Sequence, residues 1–202
     1  MKTEILPVTE FLTALRVLDQ GGLVAFPTDT VYGLGALAFH NQAIESLYIA
    51  KDRPAEKGIP ILIGDFEAIE LVVETVPVIA RKFASRFWPG PLTCILPKKS
   101  TLPEAVSNTP TVAVRLPDHN DTRALLRAAG PLAVTSANIS GAENPLSAQE
   151  VYRQLNGRIP LILDGGKAPG GIPSTLVDCT GIRPIILREG PILLADLLAC
   201  LD

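Results

Sequence analysis

Three cations crowd into seven residues at Lys51-Asp52-Arg53-Pro54-Ala55-Glu56-Lys57. Pro54 forbids a regular helix interior through them, because proline has no backbone N–H and its ring clashes with the preceding turn. The three are therefore expected on an irregular segment leaving a helix, with their heads free to converge on an anion. Further polar candidates stand where apolar runs begin or end: Thr28 to Thr30, Thr135, Ser136 and Asn138, Ser174 and Thr175, and the arginines Arg115 and Arg188. Open α/β sheets commonly place ligand sites at strand ends. Arginine grips planar anions bidentately, lysine acts as a point charge, and hydroxyls orient neutral groups. Such a set suits a ligand that carries a carboxylate and phosphates. Each residue also has a local use of its own. Lys51-x-Arg53-Pro54 could be a solubilising turn, Thr28, Thr30 and Ser174 strand-end hydroxyls, and Asn138 a tight-turn residue. Arg115, between Val114 and Leu116, could face solvent from a strand, while Ser147 reads first as a helix cap and Asp164 as a loop-ordering acid. Convergence on strand ends is what favours a site.

Other chemistries lack their parts. The two histidines, His40 and His119, are not placed beside a serine or cysteine as a base would be, and read as loop residues. No His/Asp/Glu cluster has metal-ligand spacing. Gly33-Leu34-Gly35-Ala36-Leu37-Ala38 fits a dinucleotide fingerprint, but Pro27 to Tyr32 intervenes after the strand and the next helix begins near Asn41. That is too late for a phosphate at the helix N-terminus, so close backbone packing is the expected use of these glycines. Gly165-Gly166-Lys167 suggests a P-loop, yet Leu161 stands where a glycine is required and Ala168 replaces the Ser/Thr.

The elements that must position the candidates follow from periodicity. Helices are expected over Glu10 to Gln20, Ala43 to Ala50 with Asn41 as cap, Phe66 to Thr75, Pro77 to Phe87, Asp121 to Ala129 and Ile192 to Leu201. Another runs from Ala148 to Leu155, with Ser147 and Glu150 forming a capping box. Strands are expected at 23–26, 59–63, 92–96, 111–116, 132–134, 159–163, 174–178 and 184–188. Several strands follow one another without a helix between, which favours an α/β (α+β) fold with a twisted mixed sheet flanked by helices. The 202 residues suit one domain spanning 1–202, and a 47% hydrophobic content supports a sizeable core. A net charge of -3 gives no global case for wrapping a nucleic-acid duplex. Three scattered cysteines read as buried thiols of a reducing, cytoplasmic compartment. No apolar run approaches the ~20 residues of a membrane span.

Pro27-Thr28-Asp29-Thr30-Val31-Tyr32-Gly33-Leu34, Lys51-x-Arg53-Pro54, Ser136-Ala137-Asn138-x-Ser140-Gly141 and Ser174-Thr175-Leu176-Val177-Asp178 together resemble the YrdC/TsaC family, the threonylcarbamoyl-AMP synthases. The likeness covers nearly the whole chain in motif order, and four motifs in register are far more specific than any one. It implies a large concave basic cavity and a short form without the extra C-terminal domain of some members. It implies condensation of L-threonine, bicarbonate and ATP into threonylcarbamoyl-adenylate and pyrophosphate. Partner proteins would then transfer the threonylcarbamoyl group to adenosine 37 of tRNA. The resemblance places threonine near Thr30, Arg115, Thr135, Ser136 and Ser174, and ATP near Lys51, Arg53, Lys57, Thr111, Asn138, Ser147 and Arg188. Lys51, Arg53, Ser136 and Asn138 would carry the catalysis. Mg²⁺ would arrive with ATP rather than on a protein cage. Some members have a histidine contacting threonine just beyond the basic segment; here the region reads Ile59-Pro60-Ile61-Leu62. Weak tRNA binding is a further partner expectation. Two alternatives are an RNA-binding module, which would bind RNA tightly and salt-sensitively at the same concavity, and a paralogue acting on another carbamoyl or acyl acceptor.

Overall fold

Alternating side chains on the strands sort the apolar residues into two clusters, one on each face of a single sheet. The structure, a computed structural model, describes residues 1–54 and 56–201. Among them ten strands are hydrogen-bonded in the order β1-β8-β2-β3-β7-β4-β6-β5-β9-β10. These are β1 Glu4–Pro7, β2 Val24–Phe26, β3 Gly33–Leu37, β4 Ile61–Leu62, β5 Leu92–Pro97, β6 Thr111–Arg115, β7 Leu132–Ser136, β8 Leu161–Asp164, β9 Thr175–Asp178 and β10 Ile185–Arg188. The pairs β1/β8, β2/β8, β4/β6 and β5/β9 are parallel, and β2/β3, β3/β7, β4/β7, β5/β6 and β9/β10 antiparallel. The sheet is mixed, as the consecutive strands required.

Among the described residues, six α-helices flank it: α1 Phe11–Asp19, α2 Asn41–Lys51, α3 Val78–Phe87, α4 Asn120–Ala129, α5 Ala148–Leu155 and α6 Leu194–Leu198. On one face, Ala14 and Leu18 of α1 and Leu125 and Leu126 of α4 pack on Val24, Phe26, Leu132, Val134, Leu161 and Leu163. The intervening residues of the same strands, such as Ala25, Ala133 and Ile162, point to the other face and join α2, α3 and α5. There the cluster continues under β5 and β6 through Leu92, Cys94, Leu96, Val112 and Val114. Burying these side chains at about 25 cal/mol per Å² of apolar surface is what stabilises the layers. The cluster on the first face runs from β1 and β8 over β2, β3 and β7 to Leu62 of β4. Beyond them, the same face of β6, β5, β9 and β10 carries Thr93, Ile95, Ala113, Arg115, Leu176 and Arg188, which line a cavity instead of a helix contact.

Several local expectations change. The chain forms two strands that periodicity does not announce. β1 is a four-residue edge, and β3 is Gly33-Leu34-Gly35-Ala36-Leu37, paired with β2 and β7. Glycine is disfavoured in strands, yet here a Cβ would lie 2.8 Å from Val134 Cγ1 at Gly33 and 2.8 Å from Phe26 Cε1 at Gly35. Only the bare backbone fits between those side chains, which is the close packing expected of this pair. The cap of α2 is His40, whose Nδ1 accepts from Ala43 N at 3.2 Å, and not Asn41, the first helical residue. His119 caps α4 in the same way through Thr122 N at 3.3 Å. Residues Phe66–Leu71 form a 3₁₀ turn, ended before Val73 bridges to Lys98. Ser147 caps α5, but Glu150 Oε2 accepts from Leu146 N at 2.6 Å, so the capping box is shifted by one residue. Among the described residues, no helix is long and apolar enough to cross a membrane.

Candidate functional site

Strand ends and loops bring the candidates to one cavity of about 520 Å³ over the helix-free half of the sheet. Thr30, Arg53, Thr111, Arg115, Thr135, Ser136, Ser174 and Arg188 all line it. Among the described lining residues, three arginines stand against one acidic side chain, Glu56.

At one end, Arg115 closes β6 and is 6% exposed, not solvent-facing as its flanking residues allowed. Each of its three nitrogens makes one bond: Nε donates to Gly90 O at 3.0 Å, Nη1 to Thr30 Oγ1 at 2.9 Å, and Nη2 to Asp29 Oδ1 in an ion pair. Burial lowers the arginine's proton affinity, and the Asp29 carboxylate works against that shift. Thr28 fixes the loop beneath them, donating to Val31 O at 2.7 Å and accepting from Thr30 N at 3.2 Å. Tyr32, 0% exposed, donates to Gly166 O at 2.7 Å and accepts from Gly165 N at 3.3 Å, which ties the glycine-rich loop to β3. Burial, reinforced by Asp164, pushes its hydroxyl up to about 12. Asp164 orders that loop by accepting from Gly166 N at 2.9 Å.

Arg188 and Arg53 form a second arginine assembly, and the Arg188 charge acts on Arg115 as well. Arg188 ends β10 and donates from Nε and Nη2 to Ser174 O at 3.1 and 2.8 Å, with Nη2 also 3.1 Å from Ser174 Oγ. Ser174 Oγ in turn lies 2.6 Å from Thr93 Oγ1, on β5. Arg53 donates from Nε to Lys57 O at 3.1 Å and from Nη2 to Gly58 O at 2.8 Å. Burial lowers the proton affinity of both guanidiniums, and for Arg188 the charge of Arg53 adds to the shift. Among the described residues, no carboxylate lies within 4.0 Å of either. Their acceptors are neutral. Two cations that face one cavity without a counter-ion form a place where an anion gains energy on entry.

Four candidates are not among the cavity's lining residues. Lys51 was expected on an irregular segment with its head free; it is the last residue of α2 and 1% exposed. The helix ends one residue later than Ala50 because Asp52 takes the left-handed conformation (φ 51°), before Pro54 can act. Lys51 Nζ donates to Ser136 O and Asn138 O, and burial followed by the Arg53 charge pushes its pKa down to about 7. Lys57 is exposed, and the structure uses its carbonyl rather than its ammonium to hold Arg53. Asn138 is buried; its Nδ2 donates to Ile139 O and Ala142 O at 2.9 and 2.8 Å, holding the turn after β7. Ser147 is committed to the α5 cap.

Asp29 and Thr93 escaped sequence reasoning as individual site residues. The signal for Thr93 was available, since it is the one hydroxyl in the apolar run Leu92-Thr93-Cys94-Ile95-Leu96. Asp29 was visible only as part of a polar cluster, because its partner is 86 residues away.

The family model for Sua5/YciO/YrdC, described as telomere recombination, matches residues 16–190. A Pyrococcus abyssi protein named threonylcarbamoyl-AMP synthase is 43% identical over 186 residues, 91% of this chain and 55% of its own length. A Mycobacterium tuberculosis protein named putative threonylcarbamoyl-AMP synthase is 38% identical over 182 residues, 90% of this chain and 84% of its own. The crystal structure of P. abyssi Sua5 complexed with L-threonine superposes with a TM-score of 0.94 at 39% identity, covering 98% of this chain and 61% of that one. This chain thus spans a little over half the length of the Pyrococcus relative and most of the Mycobacterium one. With residue matches over 16–190 and these identities, the chain belongs to the Sua5/YciO/YrdC family.

Proposed function

We propose that this chain is an L-threonylcarbamoyladenylate synthase, a nucleotidyltransferase that makes threonylcarbamoyl-AMP and pyrophosphate from L-threonine, bicarbonate and ATP. The observation that carries the reading is the pair Arg53 and Arg188, without a carboxylate partner among the described residues, facing the same cavity as Arg115, Thr30 and Ser174. The names of the relatives and the threonine bound to P. abyssi Sua5 support it.

The threonine amine captures bicarbonate with loss of water, and a carbamate oxygen then attacks the α-phosphorus of ATP, whose bond to the bridging oxygen breaks to release pyrophosphate. Two anions must approach while negative charge grows on the phosphate. Positioning and charge neutralisation supply such catalysis without a covalent nucleophile. Arg115, held by Asp29 and Thr30, would take the threonine carboxylate, and Thr30 and Ser174 would orient the amino acid. Arg53 and Arg188 would face the phosphates, with Thr111 on the nucleotide side and Thr135 and Ser136 between the two substrates. Magnesium carried by ATP would spread the phosphate charge further, and Glu56 is the carboxylate among the described lining residues that could meet it. The product, a mixed carbamic–phosphoric anhydride, would pass to transfer proteins acting on adenosine 37 of tRNA in the cytoplasm.

Incubation with threonine, bicarbonate and labelled ATP tests the proposal. Pyrophosphate should appear only when all three are present with magnesium. Release without threonine, or no release across magnesium concentrations and pH, would refute it.

A further inference from the structure

Lys51 is the first cation of the basic segment, yet its head points into protein. Its stem is 1% exposed, and Nζ donates to the backbone carbonyls of Ser136 and Asn138. Its own carbonyl accepts from Ser140 N at 2.8 Å. One residue at the end of α2 thereby makes three bonds to the segment that leaves β7, from both its backbone and its side chain. The rest of that turn is held separately: Ala137 N donates to Tyr32 O at 2.8 Å and Ile139 N to Gln154 Oε1 at 3.0 Å. Ser136 alone among residues 136–138 lines the cavity.

We propose that Lys51 is a positioning residue that acts through the Ser136–Asn138 peptides and does not itself grip the anion. A buried cation is costly unless hydrogen-bonded. Two carbonyl acceptors meet that requirement and, in return, fix the carbonyls of the residues that flank Ala137. The place of Ser136 in the cavity therefore depends on a side chain outside it, while Arg53, two residues on, lines the cavity itself. The turnover readout below rests on the synthase reading; the binding and exchange readouts do not.

The test compares Lys51→Met, which keeps the length of the stem and removes the charge, with Arg53→Ala and Ser136→Ala. By calorimetry, Lys51→Met should bind ATP within about threefold of wild type, whereas Arg53→Ala, losing a charged contact, should lose ~30-fold. Amide exchange at Ser140 should rise at least ~10-fold in Lys51→Met. Pyrophosphate release should fall ~100-fold in kcat at unchanged ATP KM, and adding Ser136→Ala should cost less than about threefold more, as expected of residues acting as a unit. The Tm should not fall, because an apolar replacement of a buried charge is often neutral or stabilising; a merely structural stitch would lower it. An ATP affinity lost as in Arg53→Ala, unchanged exchange at Ser140, or additive losses with Ser136→Ala would each overturn the proposal. If Lys51→Met does not fold, Lys51→Arg is read by the same binding and exchange measurements. Absence of turnover in wild type refutes the synthase reading and leaves those two measurements to decide this one.

Discussion

Asp29→Asn separates the two tasks of Arg115, holding the fold and receiving a ligand. The ion pair is buried, with side chains 7% and 12% exposed. Removing one charge of such a pair costs ~3–5 kcal/mol, since the partner is left uncompensated. Asparagine still presents an oxygen to the guanidinium, and Thr30 Oγ1 and Gly90 O stay in place, so the low end, about 3 kcal/mol, applies. For a chain of this size each kcal/mol moves the Tm by ~2–4 °C, giving a fall of roughly 6–12 °C. L-Threonine then supplies the discriminating measurement. If its carboxylate meets Arg115, it restores the missing negative charge, and a saturating ligand at 100 times its Kd adds about 2.7 kcal/mol. At one fixed threonine concentration the upward Tm shift should therefore be larger in Asp29→Asn than in wild type. A Tm loss below ~2 °C would show that the pair contributes little to the fold. An equal or smaller threonine shift in the variant would show that the carboxylate does not meet Arg115.

The other predictions concern Thr93, the buried lysine and the glycine strand. Thr93→Val keeps the shape and removes the hydroxyl 2.6 Å from Ser174 Oγ; the threonine KM should rise ~10-fold with the ATP KM changed less than threefold, because Arg188 keeps its bonds to Ser174 O. Comparable rises in both would mean that Thr93 orders Arg188 instead. For Lys51, the folded value of about 7 lies below the ordinary 10.5. Between those values the unfolded chain binds a proton that the folded chain has shed, so this group's contribution to stability rises with pH, by up to ~1.4 kcal/mol per unit. Below 7 both states are protonated and the burial cost is felt in full. The stability of Lys51→Met relative to wild type should accordingly be greatest at pH 6 and shrink by pH 9; denaturant melts showing a constant difference would contradict this. Gly35→Ala places a methyl 2.8 Å from the Phe26 ring and should cost ~1–3 kcal/mol, read as a lower denaturation midpoint; an unchanged midpoint would mean that Phe26 can move aside.

How far the fold could be read from the chain depended on how local each cause was. Helices α1, α3, α4 and α5 carry apolar residues at helical spacing and punctuation at their ends, and they lie within a residue or two of expectation. β3 was hidden because its glycines are poor strand formers taken alone; only the side chains of Phe26 and Val134, from two other strands, require them. The caps show the same limit. Asn41 is the commoner capping type, but His40 offers an imidazole nitrogen in the right place. At the site, residue types were legible and wiring was not. Arg53, Arg115, Arg188, Thr30 and Ser174 could be gathered by chemistry and motif, whereas the Asp29–Arg115 pair and the Thr93–Ser174 contact span 86 and 81 residues.

That wiring separates the three cavity arginines into two kinds. Arg115 is neutralised in advance by Asp29, so its value to a ligand lies in fixed direction more than in free charge. Arg53 and Arg188 are aligned by the carbonyls of Lys57, Gly58 and Ser174, which orient a guanidinium without cancelling it. Aligned but uncancelled charge is preorganised for negative charge that develops during reaction. A pre-paired arginine instead suits a ligand group whose charge does not change, such as a carboxylate. On the proposed reading the two kinds of arginine would therefore take different anions. The reacting atoms of the proposed synthesis would then lie near Thr135 and Ser136 at the end of β7, where Lys51, from outside the cavity, holds the chain in place.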